Sequence, residues 1–143
     1  NKYLIINNMT IIPYVSFPGN AAEAMKFYHE CLGGDLFIQT IGESPMAAQF
    51  PREMHNSVLH STITKNGVLQ LGASDVDGGG ALTSDGTVAL SLTCDTRDEL
   101  EKCYSHLSAG GEATRPLHDF FAGTIGAAKD KYGKNWMFYC EKK

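Results

Sequence analysis

The sequence predicts an α+β fold made of two tandem βαβββ modules, and three observations carry that prediction. A short stretch recurs, with Glu23, Lys26, Tyr28 and Gly34 matched at one constant spacing by Glu99, Lys102, Tyr104 and Gly110; a repeat fixes architecture more firmly than residue propensities do. Both copies carry an apolar stripe of helical period that stops at a glycine pair. Short apolar runs of strand character, set off by turn residues, flank each stripe in the same order. A length of 143 residues suits one domain holding both modules.

Module 1 spans about residues 9–75 and opens with a strand over 11–17. A helix over 20–32 follows, because Ala24, Phe27, Tyr28, Cys31 and Leu32 fall on one face, Asn20 offers an N-cap and Gly33-Gly34 ends the run. Strands are predicted over 36–41, 58–64 and 68–73, the last two joined by Lys65-Asn66-Gly67, whose Asn-Gly pair signals a tight hairpin. Residues 49–56 form the long loop of this module, placed to act as a lid over a cleft.

A connector over 76–86 contains Gly78-Gly79-Gly80, which lacks the spacing of a dinucleotide or phosphate cradle. Module 2, about residues 87–143, repeats the order with a strand over 87–93 and a helix over 96–108, striped by Leu100, Cys103, Tyr104 and Leu107 and stopped at Gly110-Gly111. Strands over 113–118, 124–129 and 136–141 complete it, the last two joined across 130–134. Asn1 to Asn8 read as a leader or cloning remnant before a start at Met9.

Composition narrows the function. A formal charge of −4 leaves no basic footprint for phosphate backbones, so nucleic acid is not an expected partner. Apolar runs fall short of the roughly 18 residues of a membrane span, and no membrane role is expected. The cysteines Cys31, Cys94, Cys103 and Cys140 form no C-x-x-C pair; they read as packed thiols of a cytoplasmic protein.

Particular stretches add a resemblance. Pro13-Tyr-Val-Ser-Phe17, the run from Gly19-Asn20 through Phe27-Tyr28, His60 opening a strand, Ser74-Asp75, and Asp130-Lys-Tyr-Gly-Lys-Asn-Trp-Met137 resemble the PhnB-like branch of the vicinal oxygen chelate superfamily, which contains glyoxalase I, bleomycin-resistance proteins, fosfomycin-resistance enzymes and extradiol dioxygenases. The likeness runs from about Met9 to the C-terminus. It implies a single glyoxalase/bleomycin-resistance-like domain whose modules curve their sheets into an open barrel around a cleft, helices outside, and it implies a homodimer. Members of the branch sometimes carry the description 3-demethylubiquinone-9 3-methyltransferase; this chain has no glycine-rich strand-to-helix turn of the kind that binds S-adenosylmethionine.

Superfamily enzymes hold a divalent metal in the cleft, and the resemblance places their four ligand positions at Pro13 or Tyr14, Gln70, Thr87 and Met137. Only Gln70 matches the His, Glu or Gln used there, and a hydroxyl or thioether is a poor donor for such ions. No cofactor is therefore expected; a divalent metal held by His60 and Gln70 is the alternative. Alternation along the strands turns His60, Gln70, Thr87, Met137 and Tyr139 toward the cleft, with Tyr14 either in the cleft or under the helix and Phe120 either at a pocket rim or in the core. His29 and His106 lie off the helix stripes and are expected in solvent, His55 sits in the long loop and is expected to be solvated, and Asp130 reads as a turn residue.

The expected function is metal-free binding of a small apolar or aromatic molecule in the cleft. Its rivals are a metal-dependent lyase, isomerase or thiol transferase using His60 and Gln70, and a purely structural or regulatory dimer. No nucleophile–base spacing or pair of cleft carboxylates argues for catalysis.

Overall fold

Ten principal elements follow one another in the computed structural model, which describes residues 10–75 and 88–143. Thr87, the connector over 76–86 and the leader over 1–8 lie outside the described residues. Module 1 comprises β1 (Tyr14–Ser16), α1 (Ala21–Leu32), β2 (Asp35–Thr40), β3 (Val58–Lys65) and β4 (Val68–Ser74), with single helical turns at Ala47–Gln49 and Arg52–Met54 in the long loop. Module 2 comprises β5 (Leu90–Cys94), α2 (Arg97–Ser108), β6 (Glu112–Phe120), β7 (Gly123–Lys129) and β8 (Asn135–Glu141). The class is α+β, as the repeat predicts: two four-stranded sheets ordered β1-β4-β3-β2 and β5-β8-β7-β6, neither closed into a barrel. In each, the first strand pairs parallel with the last and the others pair antiparallel. No helix among the described residues is long and apolar enough to cross a membrane.

Both helices start and stop where the stripes do, but their caps differ. Thr96 accepts a hydrogen bond from the Glu99 amide, an ordinary N-cap. Asn20, predicted to do the same for α1, makes no cap bond, and its Oδ1 is buried without a partner. Asp75 takes over from the end of β4, accepting from the Gly19 and Ala21 amides through Oδ1 and from the Val58 amide through Oδ2. One carboxylate thus ties the entry of α1 to the start of β3, and its charge suits the positive helix end.

The first strand is shorter than predicted. Proline at position 13 has no amide to give, and Ile11 stands fully in solvent, so pairing begins at Tyr14. Val88, inside the strand predicted over 87–93, also precedes β5 and is exposed. The Asn-Gly hairpin forms as predicted, with φ of 54° at Asn66 and 78° at Gly67.

Each helix covers one face of its own sheet, and the covered faces meet in one core. Phe17, Met25, Tyr28, Ile63 and Leu71 from module 1 cluster with Leu100, Leu107, Trp136 and Phe138 from module 2. At their boundary Tyr28 packs edge-on against Trp136 and Tyr132, with ring centroids 5.3 and 6.2 Å away. His106, expected in solvent, instead stacks on Phe27 at 4.6 Å and donates to its carbonyl, linking α2 to α1. The residue lies off its own stripe because that stripe packs on its own sheet, leaving the flank to meet the other helix.

Asp130 fastens the modules together. The turn role read from the sequence holds: Oδ1 accepts from the Tyr132 and Lys134 amides. Its other oxygen, buried, accepts from the Tyr28 hydroxyl at 2.6 Å and the Trp136 indole at 2.8 Å. Burial, reinforced by the Asp130 charge, holds the Tyr28 phenol far above its ordinary titration range.

Candidate ligand-binding site

The faces turned away from the helices carry the chemistry. Register places Tyr14, Gly72, Thr62 and Phe37 in one row across the module 1 sheet, and His60 lies two residues before Thr62 on the same face. Alternation along β3 supports this orientation, since Ser61 and Ile63 are buried while His60 is exposed. Tyr14, undecided in the sequence, lies on this open face. Its hydroxyl and His60 Nδ1 share a 2.9 Å hydrogen bond, with the rings nearly parallel at 5.8 Å. Phe37 approaches His60 from the other side at 6.4 Å.

Gly72 makes the arrangement possible. A Cβ there would sit 2.6 Å from the Tyr14 ring, so the bare backbone is what lets the ring lie across β4 toward His60. Phe37 was missed from the sequence; its alternation with Leu36 and Ile38 in β2 is the signal that finds it, being exposed between two half-buried neighbours.

On the module 2 sheet Met137 is exposed and Tyr139 half-buried on the open face, between the buried Trp136, Phe138 and Cys140. Phe120 packs against Tyr139 at 6.3 Å, and the Tyr139 hydroxyl donates to the Ala122 carbonyl. Phe121 beside it is 91 % exposed. Asp119 ion-pairs with Arg97 at 2.7 Å and accepts from Thr124, so it is committed to the fold.

Gln70 stands apart. Ile63 pairs with Leu71 and Thr64 with Leu69, so Gln70 is the extra residue of a β-bulge, and strict alternation fails there. It donates to the Val68 carbonyl and lines a cavity between the modules, away from the Tyr14–His60 pair. The long loop is organised by His55, expected merely solvated, whose Nε2 donates to the Ala47 and Phe50 carbonyls.

A superfamily metal does not fit these donors. Tyr14 spends its hydroxyl on His60, Gln70 sits at the bulge, and Met137 offers only a thioether. Among the described residues no group of three or more His, Cys, Asp and Glu side chains is placed to hold an ion. What the faces offer is aromatic surface with one polar pair at its centre.

Known proteins place this architecture. The sequence profile described as 3-demethylubiquinone-9 3-methyltransferase matches residues 9–139. Protein YjdN of Escherichia coli is 29% identical over 138 residues, covering 90% of this chain and 93% of its own. Protein PA1353 from Pseudomonas aeruginosa superposes with a TM-score of 0.82 at 30% identity, covering 95% and 100% of the two chains. A PhnB protein from Bacillus cereus with the same methyltransferase description gives 0.70 at 26%, covering 92% and 99%. Chains described as glyoxalase/bleomycin resistance proteins share the fold alone, at identities below 25%.

Proposed function

Because the chain belongs to the family described as 3-demethylubiquinone-9 3-methyltransferase, the PhnB-like branch of the vicinal oxygen chelate superfamily, we propose that it binds a small apolar or aromatic molecule without a metal. The observation that carries this reading is the Tyr14–His60 hydrogen bond set beside Phe37 on an open sheet face. Small-molecule sites combine apolar and aromatic walls with a few placed polar groups. Here the rings supply area, and the phenol–imidazole pair fixes orientation through one donor and one acceptor.

Methyl transfer from a nucleotide-bearing donor finds no support in the β1-to-α1 turn. Its Gly19 and Ala21 amides are the groups a phosphate or carboxylate would use, and Asp75 already occupies them.

The second face enters through a homodimer. Tyr14, Phe37 and Leu69 of one sheet and Met137 of the other are each more than a third exposed, and apolar patches left open on a sheet mark contact surfaces. A second copy packed on these exposed positions would cover them in a self-complementary contact.

A thermal-shift screen of aromatic metabolites, run with and without chelator, tests the reading. A ligand at 100 times its Kd raises stability by about 2.7 kcal/mol, and the gain should survive chelation and fall in Tyr14→Phe and His60→Ala. Tight stoichiometric divalent metal binding, abolished by His60→Ala or Gln70→Ala, would overturn the metal-free reading in favour of a lyase, isomerase or thiol transferase.

A further inference from the structure

The cavity between the modules is separate from the open faces. It measures about 470 Å³ and is lined by the end of α1, the β3–β4 hairpin, the end of β5 and the first turns of α2. Three of its lining residues are cysteines, Cys31 from module 1 and Cys94 and Cys103 from module 2, with Cys31 far in sequence from the other two. The Cys103 thiol is the neighbour common to the other two, close enough to raise the titration of both Cys31 and Cys94. All three are free thiols, partly accessible rather than sealed in the core.

We propose that this cluster is an oxidisable site, in which Cys31 and Cys103 join as a disulfide that links α1 to α2 across the module boundary. The oxidant is a low-molecular-weight disulfide such as oxidised glutathione. One protein thiolate attacks it, forming a mixed disulfide and releasing one small thiol; the second protein thiol attacks the mixed disulfide and releases the other. Both protein thiols lose their protons, one protein S–S bond forms, and the small disulfide is reduced to two thiols.

Cys31 is the preferred partner because it lies on the other module. Cys103 then serves as the shared thiol, with Cys94 lining the same cavity. The surroundings do nothing to stabilise the reduced state. Burial raises the Cys31 thiol far above its usual range and pushes Cys94 up to about 12, against the pull of Lys65 on Cys31 and with Glu99 adding to the rise at Cys94. A reduced state gains nothing from thiolates that do not form, in contrast to the strongly oxidising dithiols whose thiolate is stabilised. The same scarcity of thiolate makes the exchange slow at neutral pH.

The test is equilibration of the reduced protein in glutathione buffers of increasing oxidised fraction, then acid quench, alkylation and non-reducing peptide mass spectrometry. A single intramolecular Cys31–Cys103 bridge is expected, with Cys94 and Cys140 alkylated and the thermal midpoint shifted upward. Cys31→Ser and Cys103→Ser should each abolish it and Cys140→Ser should not; Cys31→Ala serves where serine unfolds the chain. A Cys94–Cys103 product, bridges between chains, mixed disulfides with glutathione alone, or thiols that stay free throughout would each overturn the assignment.

Discussion

Replacing Asp130 with asparagine changes one buried oxygen into an amide and tests what joins the modules. The carboxylate accepts four hydrogen bonds, from the Tyr28 hydroxyl, the Trp136 indole and the Tyr132 and Lys134 amides. In either orientation the new NH2 group faces two donors. Facing Tyr28 and Trp136, it leaves the indole unpaired, although the phenol can turn to accept; facing the loop, it opposes two backbone amides that cannot. A buried polar group stripped of its partner costs about 1–3 kcal/mol, and bonds to a charged acceptor are the stronger ones. The expected loss is therefore about 3 kcal/mol, a drop of roughly 10 °C in Tm for a domain of this size. Urea denaturation should show the midpoint falling at constant slope. Tyr28→Phe, which removes one donor and leaves Asp130 three, should cost about 1 kcal/mol alone and less in the Asp130→Asn background. A loss below about 1 kcal/mol for Asp130→Asn, or strict additivity with Tyr28→Phe, would refute the argument that this carboxylate holds the modules.

Other expectations follow from the same geometry. Thr96→Ala should cost about 1 kcal/mol by urea denaturation, whereas Asn20→Ala should be neutral or slightly stabilising, since its side chain caps nothing and buries an unpaired oxygen. Stability should fall as pH rises past 10.0, the ordinary phenol value: there the unfolded chain releases the Tyr28 proton while the folded chain, with that phenol buried, keeps it. The unfolded state then binds fewer protons, so the slope is about −1.4 kcal/mol per pH unit from this residue; urea midpoints from about pH 8 to about 11 should flatten in Tyr28→Phe. Gly72→Ala should fold but displace the Tyr14 ring from His60, because its Cβ would stand 2.6 Å from that ring. Histidine side-chain NMR shifts at His60 should move and ligand stabilisation should drop; an unchanged His60 spectrum would contradict the packing.

The two βαβββ modules, their helices and their hairpin were legible in the sequence because each rests on local regularity. The stripe from Ala24 to Leu32 needs only a helical period, Asn66-Gly67 needs only positive φ, and His60 against Ser61 and Ile63 needs only alternation. The motifs of the family resemblance were legible too, yet their physical role was not. Asp75 and Asp130 are the fastenings of the fold rather than groups of the open face, and which amides and side chains they reach depends on chain segments up to a hundred residues away. Gln70 left its predicted face because a bulge adds one residue to β4, a choice made by pairing with β3 and invisible in either strand alone. Likewise Cys31, Cys94 and Cys103 have no mutual spacing to notice. Only the packing of α1 against α2 brings Cys31 to the cavity that the other two line, because contacts between modules are set by the surfaces that remain after each helix has covered its own sheet.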